Sequence, residues 1–130
     1  MNRSFGKRAG IVASAVIAAT AISMSPASAV TDITISDSGG LGKMTFHDDG
    51  DTFTVCNLAA RSSYIIGKVW YKPAIGGDWY VTNEKSDAYN GGCSKITNTD
   101  VEIVGNYQMR LYSDASGREK EIARSRVFNE

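Results

Sequence analysis

The chain has 130 residues, and its 14 basic and 14 acidic side chains balance to a formal net charge of zero. The first 29 residues contain three bases and no acid. The segment from Val30 onward therefore has eleven bases and fourteen acids, a formal net charge of −3. This balance excludes the basic surface with which proteins recognise a nucleic-acid backbone, and we expect no nucleic-acid partner.

The first 29 residues have the layout of a secretory signal peptide. Basic residues precede an uncharged apolar run from Ala9 to about Ile22, and Ala-Ser-Ala at 27–29 forms a cleavage site. The run is shorter and richer in alanine than the roughly 20 apolar residues of a membrane span. We therefore expect a signal peptide over 1–29, a single mature domain over 30–130, a secreted, extracellular product, and no membrane association after cleavage.

Apolar and polar residues alternate through the mature segment, and clusters of Gly, Asn and Asp interrupt them about every ten residues. Such alternation predicts half-buried β-strands. The expected fold class is all-β, a small antiparallel β-sandwich, immunoglobulin-like or Greek-key, of about seven or eight strands. The predicted strands are Thr31–Ser36, Lys43–His47, Asp51–Cys56, Ser63–Lys72, Asp78–Asn83, Asp100–Val104, Tyr107–Tyr112 and Glu119–Phe128.

The segment KMTFHDDGDTFTVC predicts a hairpin. Asp49-Gly50 is a strong signal for a two-residue type I′ turn, which needs positive φ at both central residues. That turn puts Phe46 opposite Phe53 and gathers the apolar residues on one face.

Asp48, Asp49 and Asp51 are also candidate calcium ligands, because three carboxylates lie within four residues. The EF-hand pattern, with Gly at its sixth position and Glu at its twelfth, is absent. We expect a solvated turn without a metal and keep the three aspartates as calcium candidates.

The end of the chain predicts a second hairpin. With 114–117 as its loop, Ser113 lies opposite Arg118 and Arg110 opposite Glu121. The opposite charges of the latter pair favour this register.

The chain has two cysteines, Cys56 and Cys93, and both follow the predicted signal peptide. In an oxidising compartment they most simply form a disulfide with each other. A metal-binding or catalytic thiol is the alternative, but no CxxC spacing supports it.

No motif for catalysis is present. His47 is the sole histidine, no Gly-x-Ser-x-Gly elbow occurs, and zinc would lack imidazole and thiolate ligands. We expect no catalytic residue, no cofactor and no enzymatic activity. A small hydrolase built on two carboxylates remains an alternative, because such a pair needs no sequence motif.

Two predicted strands carry paired aromatic residues, Trp70-Tyr71 and Trp79-Tyr80. In each pair one ring points to each face of the sheet, so two rings belong to the core and two are candidates for exposure. Exposed Trp and Tyr side chains can hold sugar rings or a partner protein. We expect a non-catalytic extracellular binding or interaction module, with a cell-wall or other polysaccharide as candidate ligand and core packing as the alternative role.

A long polar loop is predicted from Thr82 to Asp100, tethered at Cys93. Long loops in compact domains are often functional. Such a loop could present residues to a secreted protease or glycosidase, so an inhibitor is a further alternative, with a secreted protein as partner.

The exported start, GKMTFHDDGDTFTVCNLAA, VWYKP and the late YQMRL together resemble small secreted proteins of streptomycetes and related actinobacteria. The resemblance implies a β-sandwich without an established activity and carries over no functional residue. The chain differs from the tendamistat-like amylase inhibitors, since their Trp-Arg-Tyr triplet and second disulfide are missing.

Overall fold

The computed structural model describes residues 31–60 and 64–130, and the expected signal peptide and Ser63 lie outside them. The described residues form eight β-strands and no helix, which confirms the all-β prediction. The strands are β1 (Ile33–Ser36), β2 (Gly42–His47), β3 (Thr52–Asn57), β4 (Tyr64–Lys72), β5 (Tyr80–Ala88), β6 (Ser94–Ile96), β7 (Asn106–Ala115) and β8 (Arg118–Arg124).

The strands form two four-stranded antiparallel sheets, with the order β1-β2-β3-β6 in the first and β5-β4-β7-β8 in the second. The chain crosses between the sheets after β3, β5 and β6. These crossings place β6 beside β3 and β7 beside β4, as strands E and F lie beside B and C in immunoglobulin domains. The fold is therefore an immunoglobulin-like β-sandwich.

The register of the β2–β3 hairpin is confirmed, with Phe46 opposite Phe53 and His47 opposite Thr52. The turn differs from the predicted type I′ turn. Positive φ occurs at Gly50 (90°) and Asp51 (49°), one residue later than expected, so the loop comprises the four residues 48–51. Four-residue loops of this kind preserve the register, because only the turn itself changes.

The predicted register of the β7–β8 hairpin is wrong. Ser116 and Gly117, with φ of 61° and 71°, form a two-residue turn, so the loop is shorter than predicted. Ser113 consequently lies opposite Lys120. The register of the β7–β8 pair shifts at a β-bulge between Leu111 and Tyr112.

The region after β4 also differs from the prediction. β5 extends to Ala88, and β6 pairs with β3 through Ile96 and Phe53, so the predicted 82–100 loop shrinks to residues 89–93. The predicted Asp100–Val104 strand is absent. Residues 100–104 instead belong to the connection between β6 and β7, where the Tyr107 hydroxyl bonds the backbone of Asp100 and Glu102.

The predicted disulfide between Cys56 and Cys93 is confirmed. Beside it lies the buried carboxylate of Asp87, which accepts hydrogen bonds from the backbone N–H of Asn57 and the hydroxyl of Ser94, both at 2.8 Å. Burying a carboxylate is costly unless its oxygens are hydrogen-bonded, and both oxygens of Asp87 are. The covalent link and this carboxylate together join β3, β5 and β6.

The core lies between the sheets and is closely packed near Gly67. A Cβ at Gly67 would overlap Val55 and lie 2.9 Å from the Sδ of Met44, across the interface from its own sheet. Only glycine fits there, so the sheets are held at close approach by the absence of a side chain.

Six aromatic rings form a continuous series from the centre of this core to the surface, which we call the aromatic column. Successive ring centroids lie 4.9, 5.1, 6.2, 5.0 and 5.6 Å apart, within the range of favourable aromatic pairs. Its members, in order, are Phe53, Phe46, Phe128, Tyr107, Tyr71 and Tyr80.

Tyr107, at the start of β7, also fixes the chain before that strand. Its hydroxyl donates to the carbonyl of Asp100 (3.1 Å) and accepts from the N–H of Glu102 (3.4 Å). This arrangement matches the tyrosine corner of immunoglobulin-like domains. Burial raises the pKa of the Tyr107 hydroxyl, which keeps it protonated and able to donate.

We expect Tyr107→Phe to lower the free energy of unfolding by about 1–2 kcal/mol, because the ring still packs while two backbone groups lose their partner. Urea unfolding measures the loss, and hydrogen exchange at the Glu102 amide should become faster. Tyr89→Phe is the matched control, since Tyr89 is exposed at the opposite end of the sandwich. Equal effects of the two substitutions would contradict the role of Tyr107.

Candidate functional site

Connecting segments from both sheets meet at one end of the sandwich, which we call the loop end. It comprises the β2–β3 turn (48–51), the β4–β5 loop (73–79), the β6–β7 segment (97–105) and the C-terminal residues 125–130. The β4–β5 loop and the β6–β7 segment lie at the same edge, because Lys72 pairs with Asn106. Asn129 donates to the carbonyl of Ile103 (3.3 Å), which attaches the C-terminal residues to the β6–β7 segment.

Large apolar side chains are exposed at the loop end. Ile75 is 95% exposed, Ile103 74%, Val104 63% and Tyr80 51%. Large apolar side chains are exposed at the opposite end too, among them Tyr89 (55%) and Leu58 (48%), but the three most exposed, Ile75, Ile103 and Val104, all lie at the loop end. This concentration favours an interaction surface there.

The backbone that carries Ile103 and Val104 is well anchored. Besides the Tyr107 hydroxyl, Gly105 lies directly on the Tyr71 ring with φ at +117°, so a side chain there would collide with that ring. Near its start, the β6–β7 segment is bound by Asn83, whose amide donates to Asn98 (2.7 Å) and Thr99 (3.1 Å). A surface on a fixed backbone loses little conformational entropy on binding.

An open cleft of about 380 Å³ lies where the β2–β3 turn meets the β6–β7 segment. It is lined by Gly50, Asp51 and residues 97–100. Burial and the adjacent carboxyl of Asp100 raise the pKa of Asp51, against the lowering effect of the Val101 backbone N–H. Desolvation and the neighbouring carboxyls of Asp51, Asp48 and Asp100 likewise raise the pKa of Glu130. The loop end is thus crowded with carboxyl groups.

The calcium candidates Asp48, Asp49 and Asp51 all lie in the β2–β3 turn. Asp51 turns toward Asp100, while Asp49 is exposed at the tip of the turn. Among residues 31–60 and 64–130, no group of three or more His, Cys, Asp or Glu side chains has the geometry of a metal site.

His47 faces away from the core, as the hairpin register predicts. Its Nδ1 lies 3.1 Å from Asp32 Oδ2, and its Nε2 lies 3.3 Å from the hydroxyl of Thr54. The Asp48 backbone N–H and the His47 ring lower the pKa of Asp32. These contacts connect β1 to the hairpin, and no nucleophile among the described residues is hydrogen-bonded to the imidazole except the Thr54 hydroxyl.

The Trp70-Tyr71 pair divides between the two faces of β4, as expected. Tyr71 points into the core as part of the aromatic column. Trp70 lies on the outer face of the second sheet, where the guanidinium of Arg110 stacks 4.1 Å from the ring centroid. Gln108 holds that guanidinium through a 2.9 Å hydrogen bond. One face of the Trp70 ring is therefore already occupied by a cation.

The Trp79-Tyr80 pair lies at the loop end. Tyr80 is half exposed and contacts Tyr71 edge-on, with ring centroids 5.6 Å apart. Trp79 is partly buried just before β5 begins. Of the four predicted aromatic ligand-binding residues, this pair lies beside the exposed aliphatic side chains, whereas Trp70 belongs to a different surface.

The carboxyls of Asp51 and Asp100 are the pair that the hydrolase alternative would use, because they meet in a cleft. The Asp100 carboxyl is close enough to raise the pKa of Asp51. Such a pair is what the hydrolase alternative is built on.

Several residues of the loop end were missed by the sequence analysis. The sequence predicts a strand over Asp100–Val104, which includes Ile103 and Val104, and assigns no role to Ile75. The dipeptide Gly105-Asn106 was the available signal, because it marks a break before β7. The exposure of Ile103 and Val104 depends on Tyr107, which is a tertiary contact.

Comparison of the chain with protein-family models, curated proteins and solved structures finds no significant match in any of the three. In the described part of the chain, no helix is long and apolar enough to cross a membrane.

The raised pKa of Asp51 predicts a pH-dependent effect of Asp51→Asn. A carboxyl whose pKa is higher in the folded protein than its ordinary 3.8 stabilises the fold below that value, and this contribution is lost as the pH rises through the folded pKa. We expect Asp51→Asn to be more stable than the wild type at pH 7, and the difference to shrink as the pH falls toward 3.8.

Chemical unfolding across this pH range measures the difference, with Asp49→Asn in the same turn as control. Asn adopts positive φ readily, so a gain from backbone conformation alone would be the same at every pH. A pH-independent difference would contradict the raised pKa of Asp51.

Proposed function

We propose that the protein is exported and acts without catalysis as an extracellular binding module whose binding surface is the loop end. The observation that carries this proposal is the exposure of Ile75, Ile103, Val104 and Tyr80 at the loop end, where the backbone of the β6–β7 segment is anchored. Their burial against a partner would be favourable by the hydrophobic effect, at about 25 cal/mol per Å².

Export is supported by the disulfide, which persists in oxidising compartments, and by the signal-like layout of residues 1–29. The resemblance to secreted actinobacterial proteins points the same way. After expression of the full sequence in an exporting host, the protein in the culture fluid should have the mass of residues 30–130. Protein that stays inside the cells with the first 29 residues attached would contradict export.

A secreted protein is the partner that the surface favours over a polysaccharide. Sugar rings stack on exposed aromatic faces, but Arg110 covers Trp70 and Tyr71 lies in the core. The exposed side chains are mainly aliphatic, and aliphatic patches with few aromatic rings suit a protein interface better.

A polysaccharide is the second candidate, and Tyr80 is the observation that favours it. Its ring is half exposed beside Trp79, so these two residues could form a small aromatic platform. Co-sedimentation with peptidoglycan, chitin or cellulose that is lost in Tyr80→Ala and kept in Ile103→Ser would identify this platform as the site.

The inhibitor alternative was based on a long loop between Thr82 and Asp100, and that loop is shorter than predicted. Most of the segment lies in β5, in β6 and at the start of the β6–β7 segment. Only 89–93 remains as a loop, and it is tied to β3 by the disulfide.

Immobilised protein, purified from an exporting host, should retain a partner from culture fluid. We expect the double substitution Ile103→Ser and Val104→Ser to reduce that retention at least about tenfold, because central apolar contacts dominate most interfaces. Quantitative mass spectrometry of the retained fraction measures it.

Leu58→Ser is the matched control for this experiment, because Leu58 is half exposed at the opposite end of the sandwich. Circular dichroism should show all variants folded, since none of these side chains is buried. Retention that the double substitution leaves unchanged would reject the loop end as the binding surface.

A further inference from the structure

The loop end is strongly acidic. Its four segments contain seven acids and one base. The acids are Asp48, Asp49, Asp51, Asp78, Asp100, Glu102 and Glu130, and the base is Arg126. In the described loops at the opposite end, which are 37–41, 58–60, 89–93 and 116–117, Asp37 is the sole charged residue.

Two bases of the second sheet, Lys68 and Arg124, pair with acids of that sheet and not with those of the loop end. Lys68 is paired with Glu119 (2.7 Å) and Glu84 (3.4 Å), and Arg124 is paired with Glu121 (2.7 Å). These ion pairs lie on the outer face of that sheet, among its own acids. The raised pKa values of Asp51 and Glu130 agree with an excess of negative charge at the loop end.

Acidic and apolar groups alternate on the β6–β7 segment itself. Asp100 and Glu102 are exposed beside the exposed Ile103 and Val104, while Val101 between them is buried. A partner that covers the aliphatic side chains must therefore bring its own groups close to the carboxylates. Burying these charges unpaired would be costly, so the partner needs cations at matching positions.

We propose that the loop end binds a cationic amphipathic segment of another protein, whose apolar side chains cover Ile75, Ile103 and Val104 and whose Lys or Arg side chains pair with the surrounding carboxylates. This inference rests on the proposed function and names the class of partner. The same charge opposes two other occupants, because an anionic lipid surface and the loop end of a second copy would both be repelled.

The test uses two synthetic fluorescent peptides of equal length, one composed of Lys and Leu at amphipathic spacing and the other with Glu in place of Lys. Fluorescence anisotropy with the oxidised protein measures their binding. We expect saturable binding of the Lys/Leu peptide, weakened at least about tenfold between about 0.05 M and 0.5 M salt, and no binding of the Glu/Leu peptide.

Variants of the protein locate the bound peptide. Ile103→Ser with Val104→Ser should weaken binding about tenfold, and Asp78→Asn with Glu102→Gln about fivefold. Leu58→Ser should bind as the wild type does. No saturable binding of the Lys/Leu peptide, equal binding of both peptides, or equal weakening by Leu58→Ser would overturn the proposal.

Two further outcomes would assign another occupant and also overturn it. These are dimerisation in sedimentation equilibrium that Ile103→Ser abolishes, and binding to vesicles of anionic phospholipid that Ile103→Ser abolishes. Failure of the partner class is distinguishable from failure of the proposed function. If Ile103→Ser with Val104→Ser reduces retention from culture fluid but Asp78→Asn with Glu102→Gln does not, the loop end binds a partner that is not cationic.

Discussion

The aromatic column is the interaction on which the rest of the molecule depends. Phe46 and Phe53 belong to the first sheet, Tyr107 and Tyr71 to the second, and Phe128 lies between them, so the column joins both sheets and the C-terminal residues. Gly67 does the opposite elsewhere in the core, where the absence of a side chain allows the sheets to approach. The aromatic column and the missing side chain at Gly67 thus both determine how the two sheets pack.

The column also fixes the backbone of the β6–β7 segment at the loop end. Tyr107 holds the backbone of Asp100 and Glu102 through its hydroxyl, and Tyr71 supports Gly105 with its ring. The core therefore reaches the surface through tyrosines, whose rings pack inside while their hydroxyls or edges contact the connecting segments. Exposure of the aliphatic side chains of Ile103 and Val104 to water is unfavourable, and this favours a function in binding.

The sequence sufficed where the information is local. Alternation and the Asp-Gly turn predicted the β2–β3 register, and two cysteines in an expected oxidising compartment predicted the disulfide. It failed where a distant contact decides. Residues 100–104 have the composition of a strand, yet Tyr107 holds them as a connection. Arg110 covers Trp70 because β7 lies beside β4, and a single strand cannot reveal its neighbour.

We propose that the molecule binds through the loop end and not through the outer face of its second sheet. Two-dimensional NMR of the isotope-labelled protein, titrated with the Lys/Leu peptide, tests this proposal residue by residue. We expect the amide signals of 74–79 and 97–105 to shift while those around Trp70 and Arg110 stay in place. Shifts centred on Trp70, or spread evenly over both ends of the sandwich, would contradict it.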